Sequence, residues 1–208
     1  MKFCSTILYA ALAAALVGCA THPKPSCCVK PVAPVAFTDK SIYQVDSTWT
    51  TDAQKQIKLR ELGGRPQVVV MFFANCQFAC PIIVLDMKRI EAALPADLRA
   101  RVGFTLVSFD TKRDTPAALA EYRHAHHLPG ENWTLLHGQP DDVLELAALL
   151  GIKFKQDASG QFAHSNVITI LNAQGEIVHQ QIGLNQDNQE TVRLLRQLAQ
   201  TNPHVAAQ

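Results

Sequence analysis

Two thiols four positions apart, in the run Cys76-Gln77-Phe78-Ala79-Cys80-Pro81, are the residues of this sequence best suited to chemistry. A thiolate binds soft metal ions and attacks disulfides, and its surroundings decide which. Upstream, Val68 to Phe73 is a short apolar run rich in β-branched and aromatic residues, without polar alternation, the pattern of a central strand covered on both faces. Downstream, Ile82, Ile83, Leu85, Met87, Ile90, Ala93 and Leu94 make an apolar face at helical spacing, with Pro81 at the first helical position and Pro95 ending the element. Both cysteines are therefore expected in the loop between the C-end of a strand and the N-end of a helix. Free amide groups and the helix dipole there bias each sulfur towards thiolate. A structural disulfide is the plainer alternative in an oxidising compartment.

A metal ion held by both thiols in a closed shell needs a third ligand. The candidate is His164, placed in a polar loop, Gly160-Gln161-Phe162-Ala163-His164-Ser165-Asn166, just before a strand. His124, His126 and His127 fall at the end of a helix, where cationic and polar side chains are ordinary, and stay out of the site. Capping accounts for Asp114, Thr115 and Pro116. Asp110 is left over at a strand's C-end, where it could approach the rim that carries the cysteines.

The positioning elements follow from pattern. Short strands are expected at Ser41 to Gln44, Ser47 to Thr51 and Gln56 to Leu59, ahead of the turn Gly63-Gly64-Arg65-Pro66. A second apolar strand, Val102 to Phe109, follows the Pro81 helix and gives a parallel strand-helix-strand unit. Further along come a helix to about His127, a strand at Trp133 to His137 and a helix at Asp141 to Leu150 stopped by Gly151. Val167 to Leu171 and Glu176 to Gln181 flank a Gly-containing loop as a hairpin, and Asn188 to Thr201 closes the chain as a helix. The fold class is α/β, a thioredoxin-like arrangement with an N-terminal strand extension and insertions.

The chain has 208 residues and a formal net charge of +1, so no electrostatic footprint points to nucleic acid. Met1-Lys2 and the apolar run Ile7 to Val17 read as a secretory signal too short to span a bilayer. Leu16-Val17-Gly18-Cys19 resembles the bacterial lipobox, which implies a signal at 1–18, cleavage before Cys19 and lipidation of its sulfur. Residues 19–40 then form a lipid-anchored, Pro-rich linker, and 41–208 the folded domain. The domain is expected in the cell envelope, anchored to a membrane and facing the periplasm, with Ala20 favouring the outer membrane. Cys27 and Cys28, near His22 in the linker, either form an accessory soft-metal site or are idle, and Cys4 leaves with the signal.

Three motifs in register, Cys76 to Pro81, Ser108-Phe109-Asp110-Thr111-Lys112-Arg113-Asp114-Thr115-Pro116, and His164-Ser165 before a strand and hairpin, resemble the SCO/SenC family of thioredoxin-fold copper proteins. The resemblance spans roughly Trp49 to Ala199. It implies that Cys76, Cys80 and His164 bind copper, as Cu(I) or Cu(II), and that the ion is delivered to, or the thiols maintained for, the CuA site of a cytochrome c oxidase subunit or a similar acceptor. The chain departs from many members at Ala74-Asn75, where they have Tyr-Thr, and at Gln77-Phe78, where they have Pro-Asp, positions that bear on partner recognition. The alternative is a thiol-disulfide oxidoreductase using Cys76 and Cys80, which does not need His164. A thioredoxin-fold peroxidase would need the Pro and Thr of the peroxiredoxin motif before Cys76, and these are absent.

Overall fold

The computed structural model of the chain describes residues 37–128 and 130–201. The expectations for the signal, the Cys19 anchor, Cys27 and Cys28 lie outside these residues.

A seven-stranded sheet, ordered β2-β1-β5-β4-β3-β8-β9, is built from β1 (Thr48–Thr51), β2 (Gln56–Lys58), β3 (Gln67–Phe72), β4 (Gly103–Ser108), β5 (Trp133–His137), β8 (Val167–Leu171) and β9 (Ile177–Ile182). Strands β3, β4 and β5 are parallel neighbours, while β8 joins β3 antiparallel, β9 joins β8, and β1 joins β5. Every residue of β3 and β4 is buried, as the unbroken apolar run predicts for strands with a layer on each face. The helices are α1 (Ala79–Ala93), α2 (Ala96–Arg99), α3 (Pro116–Ala125), α4 (Pro140–Leu149) and α5 (Gln189–Gln200). A separate two-stranded sheet, β6 (Phe154–Gln156) with β7 (Phe162–His164), lies between α4 and β8 in sequence.

Three boundaries differ from the sequence expectation. Ile42–Gln44 is a 3-10 helix and not a strand, because the Ser41 hydroxyl accepts the Tyr43 amide N–H at 3.1 Å and turns the chain. Strand β2 stops at Lys58, whose N–H is taken by the Glu61 carboxylate at 2.8 Å as a second 3-10 turn, Leu59–Leu62, begins. Helix α1 starts two residues before Pro81, so the proline occupies the third helical position, where its missing N–H is still harmless.

The carboxylate of Glu91 inside the core is satisfied by partners distant in sequence. Glu91 of α1 is buried, and its carboxylate accepts Trp133 Nε1–H at 3.0 Å and Asn132 Nδ2–H at 2.9 Å. Trp133 in turn stacks on Phe104 with centroids 5.0 Å apart, which fixes α1 against β4 and β5.

The hairpin turn between β8 and β9 shows how closely the fold is packed. Asn172 Oδ1 accepts the N–H groups of Gln174 and Glu176, and Gly175 holds φ +79° with its Cα against the Tyr43 ring. A β-carbon at Gly175 would lie 2.3 Å from Tyr43 Cδ2. Gly175→Ala therefore combines a left-handed backbone with a steric clash and is expected to cost about 2–3 kcal/mol, read as a lowered urea midpoint at unchanged slope.

Candidate metal centre

The chain leaves β3 at Phe73 and turns at once, with Cys76 N–H donating to Phe73 O at 3.2 Å. The turn is held from the side by Asp114, whose Oδ2 accepts the Ala74 N–H at 2.8 Å and the Ser108 hydroxyl at 2.5 Å. Asp114 is itself anchored: its N–H donates to Asp110 O at 3.0 Å and its carbonyl lies 2.9 Å from His137 Nδ1. Thr115 alone caps α3, its hydroxyl accepting the Ala118 N–H. The capping explanation of Asp114 is thus corrected: the carboxylate spans from the end of β4 to the turn before Cys76. One cap needs one residue, and Thr115-Pro116 already supplied it; that surplus was the available signal.

Cys80 lies inside the first turn of α1, not in the preceding loop. Its N–H, one of the four that a helix start leaves free, points at Cys76 Sγ at 3.3 Å. Cys76 is half-buried and Cys80 is fully buried, and both are free thiols. Burial pushes the Cys80 thiol far above its ordinary range, with Cys76 and Asp114 adding to the shift and a hydrogen bond involving the Phe73 backbone opposing it. The expected bias of both sulfurs towards thiolate therefore fails for Cys80 in the metal-free protein. Desolvation outweighs what the helix N-terminus contributes.

His164 ends strand β7; the expected loop is instead a short strand paired with β6, Phe154 facing His164 across the ladder. The β6–β7 hairpin rests on an aromatic block. Phe154 stacks on Phe109 with centroids 5.1 Å apart, Phe162 packs on Phe73 at 5.1 Å, and the His164 ring lies 5.0 Å from Phe109. Arg113 ties the hairpin down, donating to the Asp110 carboxylate and to Gly160 O. Asp110 thus serves Arg113 and is no part of the donor group. The His164 Nδ1 lies 3.1 Å from Ser165 O, and a carbonyl only accepts, so Nδ1 carries the proton and Nε2 keeps its lone pair. Burial lowers the His164 pKa, which keeps the ring neutral at pH 7.

Nε2 faces Cys80 Sγ at 3.8 Å, and the donor atoms of Cys76, Cys80 and His164 all lie within 4.8 Å of one another. Metal–sulfur and metal–nitrogen bonds of about 2.3 and 2.0 Å set at 120° would separate S from N by about 3.7 Å, so the gap fits a shared ion. Two thiolates and an imidazole suit soft and borderline cations and reject magnesium or calcium. His126 instead stacks on Tyr122, centroids 4.0 Å apart, and its carbonyl accepts Lys88 Nζ, in keeping with its exclusion from the site.

Removing the Asp114 carboxylate unpairs the Ala74 N–H and the Ser108 hydroxyl. Asp114→Ala is expected to lower metal affinity roughly tenfold and stability by about 2–3 kcal/mol. Thr115→Ala, which removes only a cap, should cost about 1 kcal/mol and leave affinity unchanged. Chelator competition and urea unfolding on both variants measure the difference.

Comparison with known proteins agrees with this geometry. Residues 38–200 match the family model described as SCO1/SenC. A protein of Stutzerimonas stutzeri, provisionally named as copper-binding, is 26% identical over 120 residues, a stretch covering 56% of this chain and 57% of that one. The crystal structure of a SCO1/SenC family lipoprotein from Bacillus anthracis superposes with a TM-score of 0.68 at 21% identity, covering 79% of this chain and 99% of that one. Copper-bound ScoI of Bradyrhizobium japonicum superposes at 0.60 with 19% identity, covering 73% and 96%. At these identities the superpositions establish a shared fold, the thioredoxin-like one, while the family match runs through all three donor residues and through Asp114: the chain belongs to the SCO1/SenC family.

Proposed function

We propose that the chain is a copper metallochaperone, holding Cu(I) on Cys76, Cys80 and His164 and delivering it to the CuA site of a cytochrome c oxidase subunit or a similar acceptor. The observation that carries the reading is the convergence of two sulfurs and one unprotonated imidazole nitrogen within 4.8 Å, with Cys80 buried and Cys76 half-buried. A copper-binding name among its relatives and copper-bound structures among its structural neighbours support the choice of metal. Oxidation of the thiol pair to a disulfide would remove two of three ligands, which makes copper loading dependent on reduction. The chain would work in the periplasm, tethered through lipid on Cys19 and the Pro-rich segment that follows.

The described residues all fall in one compact unit, and residues 33–208 supply the fragment for the test. Reduced and titrated anaerobically with Cu(I) against a competing chelator, it should bind one ion. Outer partners of a ligand typically cost 10–100-fold, so Cys76→Ser, Cys80→Ser and His164→Ala should each weaken binding by more than about a hundredfold. Binding indifferent to His164 would defeat the three-ligand site and leave the cysteine pair as a redox device. In cells, Cys19→Ser should abolish labelling by a fatty-acid analogue and release the protein from membranes; retained labelling would overturn the anchor.

A further inference from the structure

Phe78 lies between the two cysteine ligands with 82% of its surface exposed. A phenylalanine left in water forgoes about 1.5–3 kcal/mol of burial and calls for a reason. It borders a cleft of about 590 Å3 lined by Phe73, Cys76, Gln77, Ala79, Phe162, His164 and their neighbours. The lining includes no Asp, Glu, Lys or Arg. Lys153 and Lys155 border a separate depression that shares Ala163 and His164 with the cleft. From Phe78 the apolar surface continues along α1, since Ile82 and Leu85 follow at i+4 and i+7 on one helix face, partly exposed and 45% exposed respectively. The stripe ends at Arg89, which is paired with Asp86 and Asn185.

We propose that this cleft and the Phe78–Ile82–Leu85 stripe are the docking surface for the copper acceptor, and that they receive an uncharged, apolar loop carrying thiol, thioether or imidazole donors. The inference rests on the copper-delivery reading. Two observations choose the occupant. The cleft opens directly onto Cys76 and His164, so whatever fills it is the molecule whose donors reach the ion. With no acidic or basic side chain in its lining, it offers a charged segment no ion-pair partner to offset desolvation, whereas an apolar loop buries Phe78. Cys76 is the accessible sulfur, so exchange starts there. An acceptor thiol gives up its proton and forms a new S–Cu bond as the Cys76 Sγ–Cu bond breaks and Cys76 takes up a proton; copper stays Cu(I).

The test uses the full-length chain in lipid nanodiscs, loaded with one Cu(I), and the apo CuA domain of a cytochrome c oxidase subunit, with copper on each partner measured after rapid separation. Phe78→Ser and Leu85→Ser should each slow transfer about tenfold, the loss of one buried apolar side chain, with Cu(I) affinity unchanged. Serine is a favoured residue at a helix N-cap, the position of Phe78, so that variant keeps α1 intact. Leu85 lies outside the inter-cysteine segment and keeps the test valid should residue 78 disturb the ligands. Leu149→Ser, an exposed leucine at the C-end of α4 that does not line the cleft, should transfer at the wild-type rate. Wild-type rates in both Phe78→Ser and Leu85→Ser would overturn the docking surface while leaving copper delivery standing. A wild-type dimer that Leu85→Ser disperses would assign the stripe to a second copy and overturn it too. No transfer by the wild type would overturn copper delivery, and the docking surface with it.

Discussion

A carboxylate buried to the extent of Asp114, 2% exposed, stays in a protein interior only if hydrogen bonds replace its water. Its partners are the Ser108 hydroxyl, at the β4 C-end, and the Ala74 N–H, two residues before Cys76. That requirement closes the β4–α3 connection over the end of β3 and dictates the turn from which Cys76 emerges. Once the turn is set, α1 begins at Ala79, and the Cys80 N–H has Cys76 Sγ as its partner. The relative position of the two sulfurs is thus inherited from one satisfied carboxylate.

The third donor arrives by a different route. His164 is carried by a hairpin outside the main sheet, and its position depends on the packing of Phe154 and Phe162 against Phe73 and Phe109 and on the Arg113 clamp. Two donors belong to the strand-helix junction and one to the hairpin, so an ion shared among them joins two structural units. The buried Cys80 thiol resists ionisation in the metal-free chain, and a cation supplies the missing positive charge. Metal binding then carries the release of a proton with it.

The unequal exposure of the donors has a chemical consequence. Cys80 is enclosed and Cys76 lines a cleft without acidic or basic side chains, so solvent reaches the donor group on the Cys76 side. Gln77 and Phe78, between the two cysteines, lie in the middle of that surface and leave the donor atoms themselves intact.

Features built from neighbouring residues were legible in the sequence: the apolar strand running into the cysteines, Thr115-Pro116 as cap and first turn, Gly151 after α4, and the closing helix α5. Each rests on local sterics and hydrogen bonds that a few consecutive residues decide. Three-residue strands such as β7 carry no period to read, and Ser41 could pair or cap with equal local merit, so tertiary contact chose for both. Asp114 acquired its role from a partner 40 residues upstream, and Cys80 meets His164 across 84. The sequence by itself determined which atoms are able to bind a soft metal. Only the tertiary structure decided that they converge, that Asp110 and Asp114 serve as supports, and that Cys80 is protonated without the ion, because distance and desolvation are properties of packed neighbours and not of the chain order.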